Sequence, residues 1–273
     1  MNKPNLFIAG APKCGTTFLY EFLKTSNQIY LPKVKELNFF SYNELVEESY
    51  YRDLKIGQLS QYLHQFEKVP NETKYLVDAS VSYFASDAAS SAIKQFNADT
   101  RIILMLRDPV KRAFSHFLMD RRMSHASQSL ADYLKDTGSY HYKQYVGNSS
   151  YEKNVGRFIN TFGEQNVLII KLEELKDAVP KLEKFLDLEL SFRYEDLYNI
   201  VNQRKEATNI IGRFALKNRH ITERIKQVIP SGIKKFVLKG IYQEAKAESM
   251  TLKERQQLEK ILKKDIEFFH ALP

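Results

Sequence analysis

Residues 5–24 constrain the fold of this chain more than any other stretch. The apolar residues 6–9 predict a buried strand, and the residues from Thr16 onward predict the start of a helix. Gly10 and Gly15 bound the short loop between them. A strand that enters a helix through such a loop directs backbone N–H groups to the helix N-terminus, where the helix dipole favours negative charge. The stretch therefore predicts an anion-binding site.

The polar side chains of the loop indicate which kind of anion it binds. The spacing of the two glycines matches the start of a nucleotide P-loop, but Thr16 stands where an ATPase or kinase places its lysine. The sequence Gly-Ala-Pro-Lys-Cys-Gly-Thr-Thr resembles instead the 5′-phosphosulfate loop of sulfotransferases that use 3′-phosphoadenosine 5′-phosphosulfate (PAPS) as donor. The resemblance implies that the donor is bound by Lys13, Cys14, Gly15, Thr16 and Thr17. It also gives Lys13 a catalytic role, in which its charge stabilises the bridging oxygen as the phosphosulfate bond breaks.

A donor with two anionic ends needs a second cationic site, and Arg107 is the candidate. The apolar run at 101–106 predicts a strand buried on both faces of a parallel sheet. Asp108 and Pro109 then predict a helix N-cap and first helical position, which places Ser115 two turns into that helix. Arg-Asp-Pro with a serine eight positions after the arginine resembles the 3′-phosphate motif of the same family. The resemblance implies that Arg107 and Ser115 bind the 3′-phosphate.

The acceptor must lose a proton as it attacks sulfur, so a general base is expected near the transferred group. Glu36 precedes an apolar segment at 37–40, a context that raises the pKa of a carboxylate. Lys-Glu-Leu-Asn-Phe-Phe resembles the Glu-x-x-Phe-Phe element of heparan-type glycan sulfotransferases, whose glutamate is the proposed base. The alternative is a surface glutamate paired with Lys33 or Lys35.

The chain departs from the heparan-type pattern after the second core strand, predicted at 75–79. Those enzymes often carry Glu-Lys-x-Pro-x-Tyr there, whereas this chain has Asp-Ala-Ser-Val-Ser-Tyr at 78–83. Any role of the missing lysine falls to Lys35, to Lys33 or to neither. Asp78 stays open as a second carboxylate or as a strand-end cap.

Strands and helices alternate along most of the chain. Besides those above, the pattern predicts a strand at 166–170 and helices at 55–67, 83–96, 128–136, 149–162, 173–186, 207–229 and 251–269. For the helix at 173–186, a fresh start near Pro180 is an open alternative. Such alternation predicts an α/β fold, with an open, mostly parallel central sheet, helices on both faces and a P-loop-like first unit, in a single domain over 1–273. Ligands of such folds bind beyond the carboxyl ends of the strands, where the loops at 10–17, 78–83 and 107–115 would lie together.

The last third of the chain is basic, with nine Lys or Arg and two acidic residues between positions 213 and 246. The region could hold an anionic acceptor, associate weakly with acidic lipid, or be a solvated face. It has no stacking platform of interleaved aromatic residues and no known nucleic-acid motif, so a nucleic-acid partner is not expected. The family has a late basic loop that closes over the nucleotide, which implies donor-binding roles for Arg204 and Lys205. The resemblance also continues through Tyr151, taken as a further donor-binding residue.

Composition fits these expectations. The net charge of +8 favours anionic partners. The single cysteine excludes an internal disulfide and suits a reducing compartment, and no signal or membrane-spanning run is visible, so a cytoplasmic protein is expected. No clustered His/Cys spacing indicates a metal. The sequence thus predicts an enzyme that moves a sulfuryl group from PAPS to a hydroxyl or amine of a carbohydrate or glycolipid, leaving adenosine 3′,5′-bisphosphate (PAP); the alternative is a P-loop kinase or NTPase.

Overall fold

Five parallel strands form the central sheet. The computed structural model describes residues 2–48, 51, 54, 56–190 and 249–273, together with the backbone of strands at 205–207 and 242–244. The sheet strands are β1 (Leu6–Gly10), β2 (Ile29–Tyr30), β3 (Tyr75–Asp78), β4 (Arg101–Leu106) and β5 (Val167–Lys171). Their order is β2-β3-β1-β4-β5, and every neighbouring pair is parallel.

Burial of the central strands explains their continuous apolar sequences. All of β1 is buried, as are the last five residues of β4, because each strand has a neighbour on both sides and helices cover the sheet. Leu6 of β1 is in register with Val77 on one side and Arg101 on the other. The strand β2, which has only two residues, was not predicted because so short a segment shows no periodicity.

Helices surround the sheet. They are α1 (Thr16–Leu23), α2 (Tyr42–Leu45), α3 (Leu59–His64), α4 (Ala89–Phe96), α5 (Pro109–Arg122), α6 (Leu130–Tyr133), α7 (Tyr140–Tyr145), α8 (Tyr151–Phe162), α9 (Ala178–Leu186), α10 (Leu252–Ile261) and α11 (Lys263–Ala271). The predicted fold class is therefore confirmed. The N-cap of α5 is also confirmed, since the Asp108 side chain accepts a 2.8 Å hydrogen bond from the Lys111 amide.

Three of the predicted helices are interrupted. In the predicted helix at 173–186, a 3₁₀ segment spans Leu172–Asp177 and α9 begins only at Ala178. A single helix over 83–96 is wrong: a 3₁₀ turn spans Val81–Phe84, and α4 begins only at Ala89, whose amide donates to the Ser86 hydroxyl. A single helix over 251–269 is also wrong, because the chain turns at Leu262 between α10 and α11. Leu262 is fully buried, so the turn directs an apolar side chain into the core.

The C-terminal helices pack against α5. Leu258 and Leu262 join a cluster of buried side chains that includes Val110, Phe117 and Leu130. A short antiparallel pair of strands consists of β6 (Lys205–Ala207) and β7 (Tyr242–Glu244). Ala207, the first residue of the helix predicted at 207–229, therefore lies in a strand. The other residues of that predicted helix, and the basic region as a whole apart from the β7 backbone, lie outside the described residues. Within the part of the chain that the structure describes, no helix is long and apolar enough to cross a membrane.

Candidate active site

The loop between β1 and α1 has the form that its sequence predicts. Gly15 is the N-cap of α1 and has a left-handed backbone, with φ of +85°. A Cβ atom at this position would lie 2.7 Å from a side-chain carbon of Leu172, so both the conformation and the space require glycine. A glycine cap has no side chain to bond the first-turn amides of α1. These N–H groups are therefore available to an anion.

Lys13 lies inside this loop, half-buried and with a left-handed backbone of φ +70°. Its ammonium donates a 3.4 Å hydrogen bond to the Met119 sulfur on α5. Burial, followed by the nearby charge of Arg122, lowers the pKa of Lys13 to about 8, and the Asp120 carboxylate opposes this shift. Arg107 contributes in the same direction as Arg122. The loop is thus an electropositive site whose lysine charge an incoming anion would stabilise.

The remaining loop residues divide into buried and exposed groups. Thr16 is buried and Thr17 is exposed, both in the first turn of α1. Cys14 is fully buried, with its sulfur 3.7 Å from the Tyr151 hydroxyl. Burial raises the pKa of the Cys14 thiol to about 11, so this thiol stays protonated at neutral pH. Its predicted contact with the donor would have to come from its backbone.

Arg107 follows β4 directly, at the edge of the sheet where β1 ends. Its backbone is held by Tyr151: the hydroxyl donates to the Arg107 carbonyl at 2.7 Å, and the Arg107 amide lies 3.4 Å from the same oxygen. Tyr151 is fully buried. The described residues form no hydrogen bond or ion pair with the Arg107 guanidinium, and Ser115 is half-buried on α5. Tyr151 would therefore affect donor binding indirectly, by holding Arg107 and Cys14 in place.

Arg112 is a buried residue that holds segments around the site together, and sequence reasoning missed it. The guanidinium is fully buried, and among the described residues it donates only to neutral acceptors. These are the Ser149 hydroxyl (2.6 Å), the carbonyls of Tyr145 (2.7 Å), Gln144 (2.8 Å) and Pro12 (3.4 Å), and the His116 ring (3.2 Å). Arg112 thereby connects the phosphate loop, through Pro12, to the segments that follow α5. No pattern in the sequence separates this buried arginine from its exposed neighbour Lys111.

Glu36 is anchored to the loop that follows β3. Its amide donates to the Ala79 carbonyl at 3.1 Å, and its Oε2 accepts a 2.9 Å hydrogen bond from the Val81 amide. Its backbone is left-handed, with φ of +64°. Burial raises the pKa of Glu36, while the Lys35 ammonium and the Val81 amide oppose the shift. About one third of the side chain is exposed, so an acceptor could reach it.

Lys35 joins Glu36 to the phosphate loop. Its Nζ lies 3.3 Å from Glu36 Oε1 and donates a 3.1 Å hydrogen bond to Thr17 Oγ1. The surface ion pair that was the alternative for Glu36 does form with Lys35, but it lies beside the phosphate loop. The structure therefore brings Glu36 and Thr17 within reach of one ammonium group.

Asp78 is a structural carboxylate at the end of β3. It is fully buried and accepts hydrogen bonds from the hydroxyls of Ser80 (2.5 Å), Tyr83 (2.7 Å) and Tyr62 (2.8 Å). Burial raises its pKa to about 6, although these three hydroxyls oppose the shift. Of the two alternatives for Asp78, the structure favours the strand-end cap, because Asp78 accepts from Ser80 and Tyr83 in the loop that follows β3 and from Tyr62 on α3.

Asp120 is a second buried carboxylate, and sequence reasoning did not single it out. It lies next to Met119 on α5, and its Oδ2 accepts a 3.0 Å hydrogen bond from the Tyr145 hydroxyl. Its Oδ1 has no hydrogen-bond partner among the described residues. Burial raises the pKa of Asp120 to about 6, opposed by the Tyr145 hydrogen bond and by the charge of Lys13.

For two predicted donor-binding residues, the structure gives little or no information. Arg204 is outside the described residues, and Lys205 is described only as the first residue of β6. Their donor-binding roles stay predictions. The described residues contain no group of three or more His, Cys, Asp or Glu side chains that could hold a metal ion.

Comparison with known proteins places the chain in a family. The model of the sulfotransferase domain matches residues 3–269. The chain therefore belongs to the sulfotransferase family, and the resemblance to PAPS-dependent sulfotransferases is confirmed. Among solved structures, a sulfotransferase from Alicyclobacillus acidocaldarius superposes with a TM-score of 0.64 at 25% identity, over 81% of this chain and 97% of that one.

A further solved structure shares the fold, and two curated relatives match part of the sequence. Mouse sulfotransferase SULT7A1, solved in complex with PAP, has the same fold (TM-score 0.54, 14% identity, 100% of this chain and 90% of that one). Heparan sulfate N-deacetylase/N-sulfotransferase 1 of Caenorhabditis briggsae, a bifunctional protein, is 26% identical over 68% of this chain. Heparan sulfate glucosamine 3-O-sulfotransferase 3B1 of Mus musculus is 32% identical over 42% of it. These matches span only 23% and 26% of the two curated relatives.

Proposed function

We propose that this chain transfers a sulfuryl group from PAPS to a hydroxyl or amine of an acceptor, and that Glu36 is the general base. Membership of the sulfotransferase family supports the donor and the reaction. The observation that carries the base assignment is the position of Lys35, whose ammonium contacts both Glu36 and Thr17. The Glu36 carboxylate, whose pKa is raised, and the first turn of α1 therefore lie on either side of one ammonium group.

The donor would be held at two positions on neighbouring strands. The loop amides, Lys13, Thr16 and Thr17 at the end of β1 suit a 5′-phosphosulfate. Arg107 at the end of β4, with Ser115 on α5, suits a 3′-phosphate. Because β1 and β4 are hydrogen-bonded neighbours, these two anion sites lie side by side at one edge of the sheet.

In the proposed reaction, the acceptor oxygen or nitrogen attacks sulfur as the bond between sulfur and the bridging phosphate oxygen breaks. Glu36 takes the proton that the acceptor loses, and PAP leaves with the electron pair of the broken bond. The Lys13 ammonium stabilises the charge that develops on the bridging oxygen. Transfer is a single in-line displacement with no covalent enzyme intermediate, so positioning and charge stabilisation supply the rate enhancement.

A carbohydrate or glycolipid is the acceptor class that we propose. The curated relatives include enzymes named for heparan sulfate, although this chain spans about a quarter of their length. Burial raises the pKa of Tyr51, and the charges of Glu36 and Asp120 add to this shift. A tyrosine combines a flat apolar ring with a polar hydroxyl, which suits the mixed surface of a sugar.

The test is transfer of labelled sulfate from PAPS to a panel of mono- and oligosaccharides and glycolipids. Lys13→Ala should lower turnover by roughly 10²–10³-fold, the usual effect of removing one transition-state contact. Glu36→Gln should lower it by roughly 10²–10⁴-fold, the usual contribution of a general base.

Matched controls for these two substitutions are available on α1 and at its C-terminal end. Glu21 and Lys24 form an exposed ion pair there, so Glu21→Gln and Lys24→Ala should keep full turnover. Full turnover in Lys13→Ala would remove the centre of the proposal. Full turnover in Glu36→Gln would overturn only the base assignment.

A further inference from the structure

Lys35 occupies an unusual position in the site. Its ammonium contacts one group from the donor side, Thr17 Oγ1, and one from the acceptor side, Glu36 Oε1. Only 22% of its side chain is exposed, and the ammonium lies 5.9 Å from the centre of the Tyr20 ring. An ammonium has three N–H donors. The described residues form no third hydrogen bond with this one.

The Glu36 carboxylate is held at both oxygens. Oε2 accepts from the Val81 amide, which belongs to the fixed loop after β3, and Oε1 faces Lys35. The Val81 contact fixes the carboxylate relative to the sheet. The Lys35 contact fixes it relative to the first turn of α1, where the donor phosphate is proposed to bind. Each carboxylate oxygen keeps acceptor capacity, so Glu36 can still receive a proton.

The Thr17 contact has a directional consequence. A hydroxyl has one donor and two acceptor lone pairs. Because Lys35 donates to Thr17 Oγ1, the Thr17 proton points away from Lys35 and can be donated to a phosphate oxygen. Lys35 thereby orients both the proposed base and a proposed donor ligand.

We propose that Lys35 is a positioning residue that aligns the Glu36 base with the donor bound at Thr17. This inference rests on the proposed sulfuryl transfer for its catalytic meaning, but its geometry is independent of the acceptor. Lys33, two residues earlier, is exposed and forms no hydrogen bond or ion pair with a described residue. Lys33→Met is therefore a matched control for loss of a charge from the same segment.

The first experiment follows the Glu36 carboxyl directly by ¹³C NMR during a pH titration, with Glu36→Gln to assign the resonance. Lys35→Met should raise the pKa of Glu36, because the cation that favours its ionised form is gone. Lys35→Arg should restore most of the wild-type value, and Lys33→Met should leave it unchanged. An unchanged Glu36 titration in Lys35→Met would overturn the proposal.

The second experiment measures PAPS turnover, with the panel acceptor that wild type uses fastest, in a double-mutant cycle. Lys35→Met should lower turnover by roughly tenfold to a hundredfold, less than the roughly 10²–10⁴-fold contributed by a general base. In the Glu36→Gln background the same change should cost less than about threefold, because the two residues act together. Equal losses in both backgrounds would mean that Lys35 acts independently of Glu36 and would overturn the proposal.

The two proposals fail in different ways. Wild type that neither binds PAP nor consumes PAPS refutes the proposed function, and the NMR titration still reports whether Lys35 controls Glu36. Wild type that binds PAP and transfers sulfate, with no effect of Lys35→Met on either the titration or turnover, refutes the role of Lys35 alone.

Discussion

The hydroxyl of Tyr151 donates a 2.7 Å hydrogen bond to the carbonyl of Arg107. Tyr151 begins α8 and is fully buried, whereas Arg107 follows the end of β4 at the edge of the sheet. The same hydroxyl lies 3.7 Å from the Cys14 sulfur in the phosphate loop. One buried side chain thus holds the backbone of Arg107 and contacts the Cys14 side chain, so it touches both proposed anion sites.

Tyr151→Phe is expected to weaken PAP binding without removing any proposed ligand. The variant leaves the partly buried Arg107 carbonyl without this partner, which costs about 1–2 kcal/mol, and frees the end of β4 to move. Calorimetric titration with PAP should show affinity reduced by about threefold to thirtyfold, the conversion of roughly 0.7–2 kcal/mol.

Tyr75→Phe is the matched control for that experiment. Tyr75 is also buried and also donates to a backbone carbonyl, that of Leu186 at 2.9 Å, but it begins β3 at the opposite edge of the sheet. The Tyr75→Phe variant should lose about as much stability as Tyr151→Phe but should keep its affinity for PAP. Equal affinity losses in the two variants would show that the effect is general destabilisation.

PAP affinity should depend on pH through Lys13. The pKa of Lys13 in the free protein is about 8, so the ammonium loses its proton as the pH rises through this value. The phosphates of PAP are already ionised there. Affinity should therefore fall above pH 8, by at most about tenfold per pH unit, the limit for one proton. Lys13→Met should bind more weakly but with no slope in this range; an equal slope in the variant would contradict the assignment.

Asp120→Asn should alter how stability depends on pH. Burial raises the pKa of Asp120 from 3.8 to about 6, so the folded state favours the protonated form. The stability that protonated Asp120 contributes to the folded state is present at low pH and is lost as the pH rises through about 6. Urea denaturation at pH 5 and pH 8 should show a difference in unfolding free energy that is smaller in Asp120→Asn by about 1–3 kcal/mol.

Asp78 has a similarly raised pKa, so part of the pH dependence should survive in Asp120→Asn. Asp132→Asn is the control. Asp132 is exposed and pairs with Lys135, which lowers its pKa and keeps its titration below the pH range tested. The same pH dependence in wild type and Asp120→Asn would refute the buried-charge interpretation.

Local signals made much of the fold predictable. The apolar runs at β1 and β4, the Asp108–Pro109 cap and the glycine-bounded loop each depend on residues close in sequence. The breaks near Ser86 and at Leu262 depend on tertiary contacts, namely a hydrogen bond from Ser86 to Glu44 and burial of Leu262 against α5. Helical periodicity continues across both positions and cannot reveal them.

The same division applies to the site. Lys13, Glu36 and Arg107 were recognisable because each lies in a short motif. Arg112 and Asp120 were not, since their importance comes from burial and from partners such as Pro12, 100 positions from Arg112, and Tyr145, 25 positions from Asp120. The contact of Lys35 with Thr17 likewise joins two segments 18 residues apart, and only the folded chain brings them together.

The most direct test of the central claim is calorimetric titration of the wild-type chain with PAP in the presence of EDTA. We expect saturable, metal-independent binding that Lys13→Ala and Arg107→Ala both weaken and that Lys111→Ala, an exposed change on α5, leaves intact. ATP with Mg²⁺, the ligand of a kinase or NTPase, should not bind more tightly than PAP. Absence of PAP binding, or a preference for ATP with Mg²⁺, would refute the proposed donor site.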